Sequence, residues 1–244
     1  MKENEVLKGV ILGYRNLIDE RYTYNNLQEK YTLPNSLNAK TINNIKNYFL
    51  TYVYPDLEQR KALDDAFNTL DNFIKNPEKL IRLVLDSFTL LFTHGKHLRK
   101  IFNAGIKAMK SFRGATKFEN SLVKVALKNQ HKPPFETKDI NMLIKKLSYD
   151  EIEEFIENTE TFFNIIYDRD LVAKIQEVII HVINKMTKKP NIFSKKEIKG
   201  LTLALETIQK GEELLNSLNI KEQEVLVDFV VNIERDYLKN IFSN

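Results

Sequence analysis

Two histidines, His94 and His97, lie three positions apart in the stretch HGKH, and this spacing raises the question of a metal site. A catalytic zinc ion needs a third protein ligand and an open coordination position. That ligand would have to be His131, His181 or a carboxylate, in a locally cationic stretch that repels a divalent ion. We therefore predict no metal, and we interpret the pair as histidines at a helix C-terminus that complement the helix dipole.

A second pair, Glu177 and His181, is four positions apart on a predicted helix. Di-iron bundles use Glu-x-x-His pairs directed into the core. Here the spacing is Glu-x-x-x-His and both residues fall opposite an Ile/Val stripe, which favours a solvent-facing pair. The carboxylates of residues 148–160 suit general acid–base chemistry, but a Glu-rich helix face is more typical of exposed surface.

Motifs for catalysis are missing elsewhere in the sequence. There is no Gly-rich phosphate loop and no nucleophile elbow, and the absence of cysteine excludes disulfides and thiolate chemistry. We predict no catalytic residue and no cofactor.

The strongest chemical signal is the charge of residues 96–132, which hold ten Lys or Arg and a single acid, Glu119. Residues 1–95 balance 12 bases with 12 acids, and residues 133–244 hold 15 bases and 20 acids. On a helical wheel the cations gather opposite the apolar side chains. The predicted anion-binding residues are Arg99, Lys100, Lys107, Lys110, Arg113, Lys117, Lys124 and Lys128.

Three partners suit such a face. A nucleic acid would bind through its phosphates with a strong salt dependence, and an anionic membrane surface or lipid head group would attract the same cations. The acidic segment 148–160 of this chain is the third, since it would neutralise part of the face. The polar faces carry no aromatic residues for stacking bases, and the apolar faces are needed for the core rather than for a bilayer.

Helices must position these residues, because nearly every segment has a helical period and none alternates with period two. We predict an all-α fold of ten to eleven helices packed as a multi-helix bundle without a sheet. The predicted helices lie near 2–21, 36–53, 56–75, 77–93, 97–112, 116–129, 137–147, 149–166, 169–187, 195–217 and 221–242. Capping boxes mark two starts, at Ser148–Glu151 and Ser194–Glu197. Gly114 is expected to end one helix.

The stretch HKPPF at 131–135 forbids a helix and is the predicted domain boundary. An N-terminal half, 1–130, would contain a central helix at 77–93 and the basic helices at 97–129. A C-terminal half, 137–244, would follow, and the two could also pack as one compact domain. No apolar stretch approaches the length of a membrane span and no secretory signal is apparent, so we expect a soluble, cytoplasmic protein.

The tyrosines are concentrated at one end, with seven of ten in the first 54 residues. We interpret them as closing the edge of a core with their hydroxyls in water, with an aromatic ligand pocket as the alternative.

These observations favour a non-enzymatic binding or adaptor protein whose cationic helical face meets an anionic partner: a lipid head group, a membrane surface or a nucleic acid. A protein partner is also compatible with them, and they leave the oligomeric state open. One alternative is a helical carrier that encloses a hydrophobic small molecule among Phe and Tyr side chains. Another is a helical enzyme that uses the His94/His97 region with a carboxylate.

Overall fold

A computed structural model of the chain describes residues 2–76, 98–190 and 193–243, which contain helices and no strand. The all-α prediction is confirmed for this part of the chain. A π-helical turn, Phe49–Val53, follows the third helix. The α-helices are α1 (Glu3–Arg21), α2 (Tyr24–Lys30), α3 (Ala39–Tyr48), α4 (Leu57–Lys75), α5 (Leu98–Lys128), α6 (Thr137–Ile144), α7 (Tyr149–Tyr167), α8 (Arg169–Thr187), α9 (Lys195–Asn216) and α10 (Ile220–Ser243).

The capping boxes predicted for α7 and α9 are both present. The Glu151 carboxylate accepts from the Ser148 backbone N–H at 2.9 Å, and Ser148 Oγ accepts from the Glu151 backbone N–H at 3.3 Å. Ser194 and Glu197 make the same reciprocal contacts at 2.6 and 3.2 Å. Because each box satisfies backbone donors that the first helical turn leaves free, these starts are fixed by local sequence.

The prediction that Gly114 ends a helix is wrong, because α5 runs without interruption through that position. Gly114 lies against the side chain of Asn158 of α7: a Cβ there would lie 2.3 Å from Cγ of Asn158. Glycine serves close packing here rather than a turn. The helix ends at Lys128, and Gln130 takes a left-handed φ of 57° just before the two prolines.

The interface between α5 and α7 is the most extensive one between described helices. At its centre Phe118 stacks on Phe155 with ring centroids 4.3 Å apart. The large buried cluster around it draws side chains from α1, α3, α4, α6, α9 and α10, and a smaller cluster lies under α8. The predicted central helix, 77–93, lies outside the described residues.

The predicted boundary stretch is packed rather than extended into solvent. Phe135 is buried, and a Cβ on Gly9 of α1 would lie 2.6 Å from Cβ of Pro133. The large buried cluster contains side chains from both sides of this stretch. The division into two halves at 130–136 stays a prediction.

Two features of the N-terminal region differ from expectation. The seven-residue α2 was not predicted, because it is too short to show a helical period. The interpretation of the tyrosine hydroxyls as solvated is wrong for four residues, which are almost completely buried: Tyr14, Tyr22, Tyr48 and Tyr54. Burial raises the pKa of all four phenols.

Two glycines inside helices predict opposite effects of the same substitution. A Cβ on Gly200 of α9 would lie 2.0 Å from the backbone oxygen of Ala62, and backbone cannot move aside cheaply. At Gly105 of α5 the nearest described atoms belong to Ile175, at 3.8 Å. Gly200→Ala should lower the free energy of unfolding by about 1–3 kcal/mol. Gly105→Ala should raise it by about 0.5–1 kcal/mol through helix propensity.

Urea denaturation followed by circular dichroism measures both values. A neutral or stabilising effect of Gly200→Ala would contradict the close approach of α4 and α9, and a destabilising effect of Gly105→Ala would contradict the open space at that position.

Candidate anion-binding surface

Some residues of α5 have described side chains, and every exposed one of these is a cation or a carboxamide. These exposed residues are Asn103, Lys107, Lys110, Arg113, Lys117, Asn120, Lys124 and Lys128. At 3.6 residues per turn the six cations fall within an arc of about 120° and extend for about 30 Å. We call these six residues, Lys107, Lys110, Arg113, Lys117, Lys124 and Lys128, the cationic stripe. Arg99 and Lys100 also lie in α5, but their side chains are outside the described part.

Because α5 is one helix, cations that were predicted on two helices share one line. A break at Gly114 would have pointed the faces of the two halves in unrelated directions. The continuous helix instead keeps Lys107 and Lys128 in a common register across the whole stripe.

Glu119, the single acid of the basic segment, faces inward and does not neutralise the stripe. It is 5% exposed, about 180° around the helix from the stripe, and forms a buried ion pair with Arg60 of α4. The Arg60 guanidinium also donates to the backbone oxygen of Thr116 at 3.0 Å and to Oδ1 of Asn120 at 3.3 Å. This ion pair fixes α4 to α5 and leaves the outer face without an acid of its own.

The acidic helix α7 borders the stripe on one side, so part of the predicted internal neutralisation is present. Lys117 donates to Glu154 at 2.5 Å. The carboxylate of Glu151 has a lowered pKa, chiefly through the Ser148 backbone N–H, with Ser121 and Lys124 also contributing. Among the described residues, the acids of α7 contact the stripe at these two lysines.

Asp71 of α4 also lies near the stripe. The pKa of Asp71 is lowered chiefly by the hydrogen bond and charge of Lys75, and further by Arg113 and Lys110. Apart from Lys117, no cation of the stripe has a carboxylate within ion-pair distance among the described residues. The stripe is therefore a cationic line with carboxylates of α7 and α4 near part of its length, and we call these carboxylates its acidic borders.

The histidine candidates gain no support. His94 and His97 lie outside the described residues. No group of three potential metal ligands occurs in the described part of the chain. His181 differs from expectation, because it is half-buried, its Nε2 has no partner, and its pKa is lowered by burial and by Lys185 and Lys188. The description of Glu177 and His181 as a fully solvent-facing pair is therefore wrong for the histidine.

Sequence reasoning missed a buried polar cluster between α1 and α10. Arg21 Nη2 donates to Glu234 Oε1 at 2.9 Å, and Tyr22 donates to the same oxygen at 2.7 Å. The guanidinium lies 4.0 Å from the ring centroid of Tyr237. Burial opposes the charge of Arg21, but Tyr22 and Glu234 hold the pKa of the guanidinium above its usual value. Arg21 and Glu234 are 213 positions apart, so no local spacing indicates this pair.

An apolar cavity lies between α4, α5, α7 and α9, but its volume is only about 30 Å³. That is room for about one water molecule. It gives no support to the alternative of a carrier for a hydrophobic ligand. In the described residues, no helix combines the length and apolar character needed to cross a bilayer.

The chain matches no protein-family model, no curated protein and no solved structure. Its function has to be inferred from its own residues.

The buried ion pair beneath the stripe predicts a large effect of removing one partner. Glu119→Gln should lower the free energy of unfolding by about 3–5 kcal/mol, because Arg60 keeps a buried charge without its counterion. The double variant R60M/E119L removes both charges and should recover most of that loss. Urea denaturation measures both, and a double variant as unstable as E119Q would contradict the pairing.

The capping carboxylate of Glu151, at the border of the stripe, should contribute to the free energy of unfolding in a pH-dependent way. The pKa of Glu151 is lower in the folded chain than in the unfolded chain. Its contribution to the free energy of unfolding is therefore fully present above the pKa of the unfolded chain, about 4.3, and is lost as pH falls through the pKa of the folded chain. Glu151→Gln should cost about 0.5–1 kcal/mol at neutral pH, and this difference from wild type should disappear in acid. Glu157→Gln, an exposed change on the same helix, is the control and should match wild type throughout. A pH-independent loss in E151Q would contradict the assignment.

Proposed function

We propose that this protein is a non-enzymatic nucleic-acid-binding protein whose cationic stripe contacts the phosphate backbone of a duplex. The observation that carries the proposal is the exposed face of α5, where every described side chain is Lys, Arg or Asn. Lysine, arginine and asparagine side chains all donate to phosphate oxygens, and such contacts supply affinity without reading base sequence.

The shape of the charged surface favours a linear partner over a planar one. A bilayer would bring its anionic surface against the acidic borders as well, including Glu154 of α7 and Asp71 of α4, and would be repelled there. A phosphate backbone is narrow enough to follow the stripe between those borders. The length of the stripe, about 30 Å, matches about one turn of a duplex.

Among the described side chains of this face there is no apolar anchor of the kind that membrane-bound helices use. Peripheral helices bury aromatic or aliphatic side chains beside their cations. The large hydrophobic residues exposed in the described part of the chain all lie on other helices: Leu12, Met142, Tyr149, Tyr167, Ile180 and Phe242. Phe118, the aromatic residue of α5 whose side chain is described, is buried in the core and therefore does not offer a surface on which bases could stack.

The test is fluorescence anisotropy with a labelled DNA duplex of about 20 base pairs between about 50 and 200 mM salt. With about four to six phosphate contacts, affinity should fall about 10²- to 10³-fold over this range. The stripe variant, K107E/K110E/K124E/K128E, should lose binding and reduce the magnitude of the logarithmic salt slope by about 3–4. Glu154→Gln should strengthen binding a few-fold, because it removes a border acid and releases Lys117.

The matched control is K40E/K195E/K196E/K221E, which changes the net charge equally at exposed lysines on α3, α9 and α10. It should retain most of the affinity and the salt slope. Equal losses in both variants would show that only net charge matters and would overturn the stripe as a site. Binding to vesicles with about 30% phosphatidylserine but not to duplex would overturn the nucleic-acid partner in favour of a membrane.

A further inference from the structure

A cleft between α2, α6 and α10 lies beside the buried Arg21 cluster and is separate from the cationic stripe. It has two lobes, with volumes of about 280 and 330 Å³, which is the size of small-molecule pockets. Four residues line both lobes: Arg21, Lys30, Asn141 and Tyr237. The two lobes therefore form one continuous candidate site.

Arg21 forms the inner wall of this cleft and is 8% exposed. Its Nη2 donates a hydrogen bond to Glu234, while Nε and Nη1 have no hydrogen-bond partner among the described residues. These two nitrogens are closed off from the cleft as well as from solvent, so the guanidinium serves as part of the wall rather than as a ligand contact. Glu234 balances the charge of Arg21, and the positive charge of the first lobe therefore comes from its lysines.

The first lobe is rich in hydrogen-bond donors. Lys30 and Lys145 line it, and no carboxylate does so among the described residues. Tyr237 donates its hydroxyl to Oδ1 of Asn141. This contact fixes the carboxamide and leaves its NH₂ group for a ligand. Two lysines without acidic partners and an amide donor suit a doubly charged oxyanion, and phosphate is the common one.

The second lobe offers acceptors instead. Glu20, Glu29 and Asn26 line it, and the Glu20 carboxylate accepts from the hydroxyl of Thr137 at 2.6 Å. Carboxylates and a carboxamide beside a phosphate-sized lobe suit hydroxyl groups on the same ligand. Leu27, Ile233 and Ile241 supply the apolar wall between the polar groups.

We propose that the cleft binds a small phosphomonoester with a hydroxylated organic part, such as a sugar phosphate. The phosphate lies in the first lobe against Lys30, Lys145 and the Asn141 amide. The hydroxyl groups lie in the second lobe against Glu29 and Asn26. Since α2 and α10 are far apart in sequence, the site exists only in the folded chain.

Isothermal titration calorimetry with ribose 5-phosphate, ribose and inorganic phosphate tests the assignment. Ribose 5-phosphate should bind at a single site, inorganic phosphate more weakly by about tenfold or more, and ribose without measurable heat. The variant K30Q/K145Q should bind ribose 5-phosphate at least about tenfold more weakly. The control K40Q/K132Q removes two exposed lysines that do not line the cleft and should stay within about twofold of wild type.

A second readout locates the ligand. In ¹⁵N-labelled protein the side-chain amide signal of Asn141 should shift on titration with ribose 5-phosphate. Tyr237→Phe should weaken binding several-fold, because the carboxamide is no longer held with its NH₂ group toward the lobe. An unshifted Asn141 signal, or no saturable heat with ribose 5-phosphate, would overturn the site. Inorganic phosphate binding as tightly as the sugar phosphate would overturn the role of the second lobe.

The stripe variant separates this site from the duplex-binding surface. K107E/K110E/K124E/K128E should lose the duplex and still bind ribose 5-phosphate as wild type does. Loss of both ligands in that variant would overturn the cleft as an independent site.

Discussion

The close contact of α5 with α7 determines how the rest of the described structure is arranged. Gly114 leaves room for the side chain of Asn158 of α7, and the rings of Phe118 and Phe155 stack in the same interface. Once the inner face of α5 is committed to this interface, its lysines can point only outward. The same contact places the carboxylates of α7 along one edge of the stripe. Packing thus sets both the direction of the cations and their acidic border.

Two buried arginine–carboxylate pairs decide how much charge remains for a ligand. Glu119 forms a buried ion pair with Arg60, so the outer face of α5 has no acid of its own. Glu234 balances Arg21, so the positive charge of the first lobe of the cleft comes from Lys30 and Lys145. Breaking such a pair is strongly destabilising. The residues that stabilise each site are therefore different from those that would contact its ligand.

Local signals predicted the helix starts well, and long-range packing produced the errors. The capping boxes at Ser148 and Ser194 work within four residues, so sequence alone reveals them. Gly114 carries the same local signal as a helix stop, but in the folded chain it lies inside α5 against the side chain of Asn158, a contact that no local spacing indicates. The exposed cations of α5 were predictable from helical period. The cleft was not, because α1, α2, α6 and α10 come together only on folding.

Ionic strength separates the two candidate sites on physical grounds. The stripe is exposed and would bind a duplex through about four to six phosphate contacts, each accompanied by counterion release, so salt would weaken that binding steeply. In the cleft a phosphate would meet only two lysines, Lys30 and Lys145, both exposed, beside the uncharged amide of Asn141. Salt would weaken binding there less steeply, because fewer charge contacts are involved. A protein with both surfaces would hold a small phosphomonoester under salt conditions that release a duplex from α5.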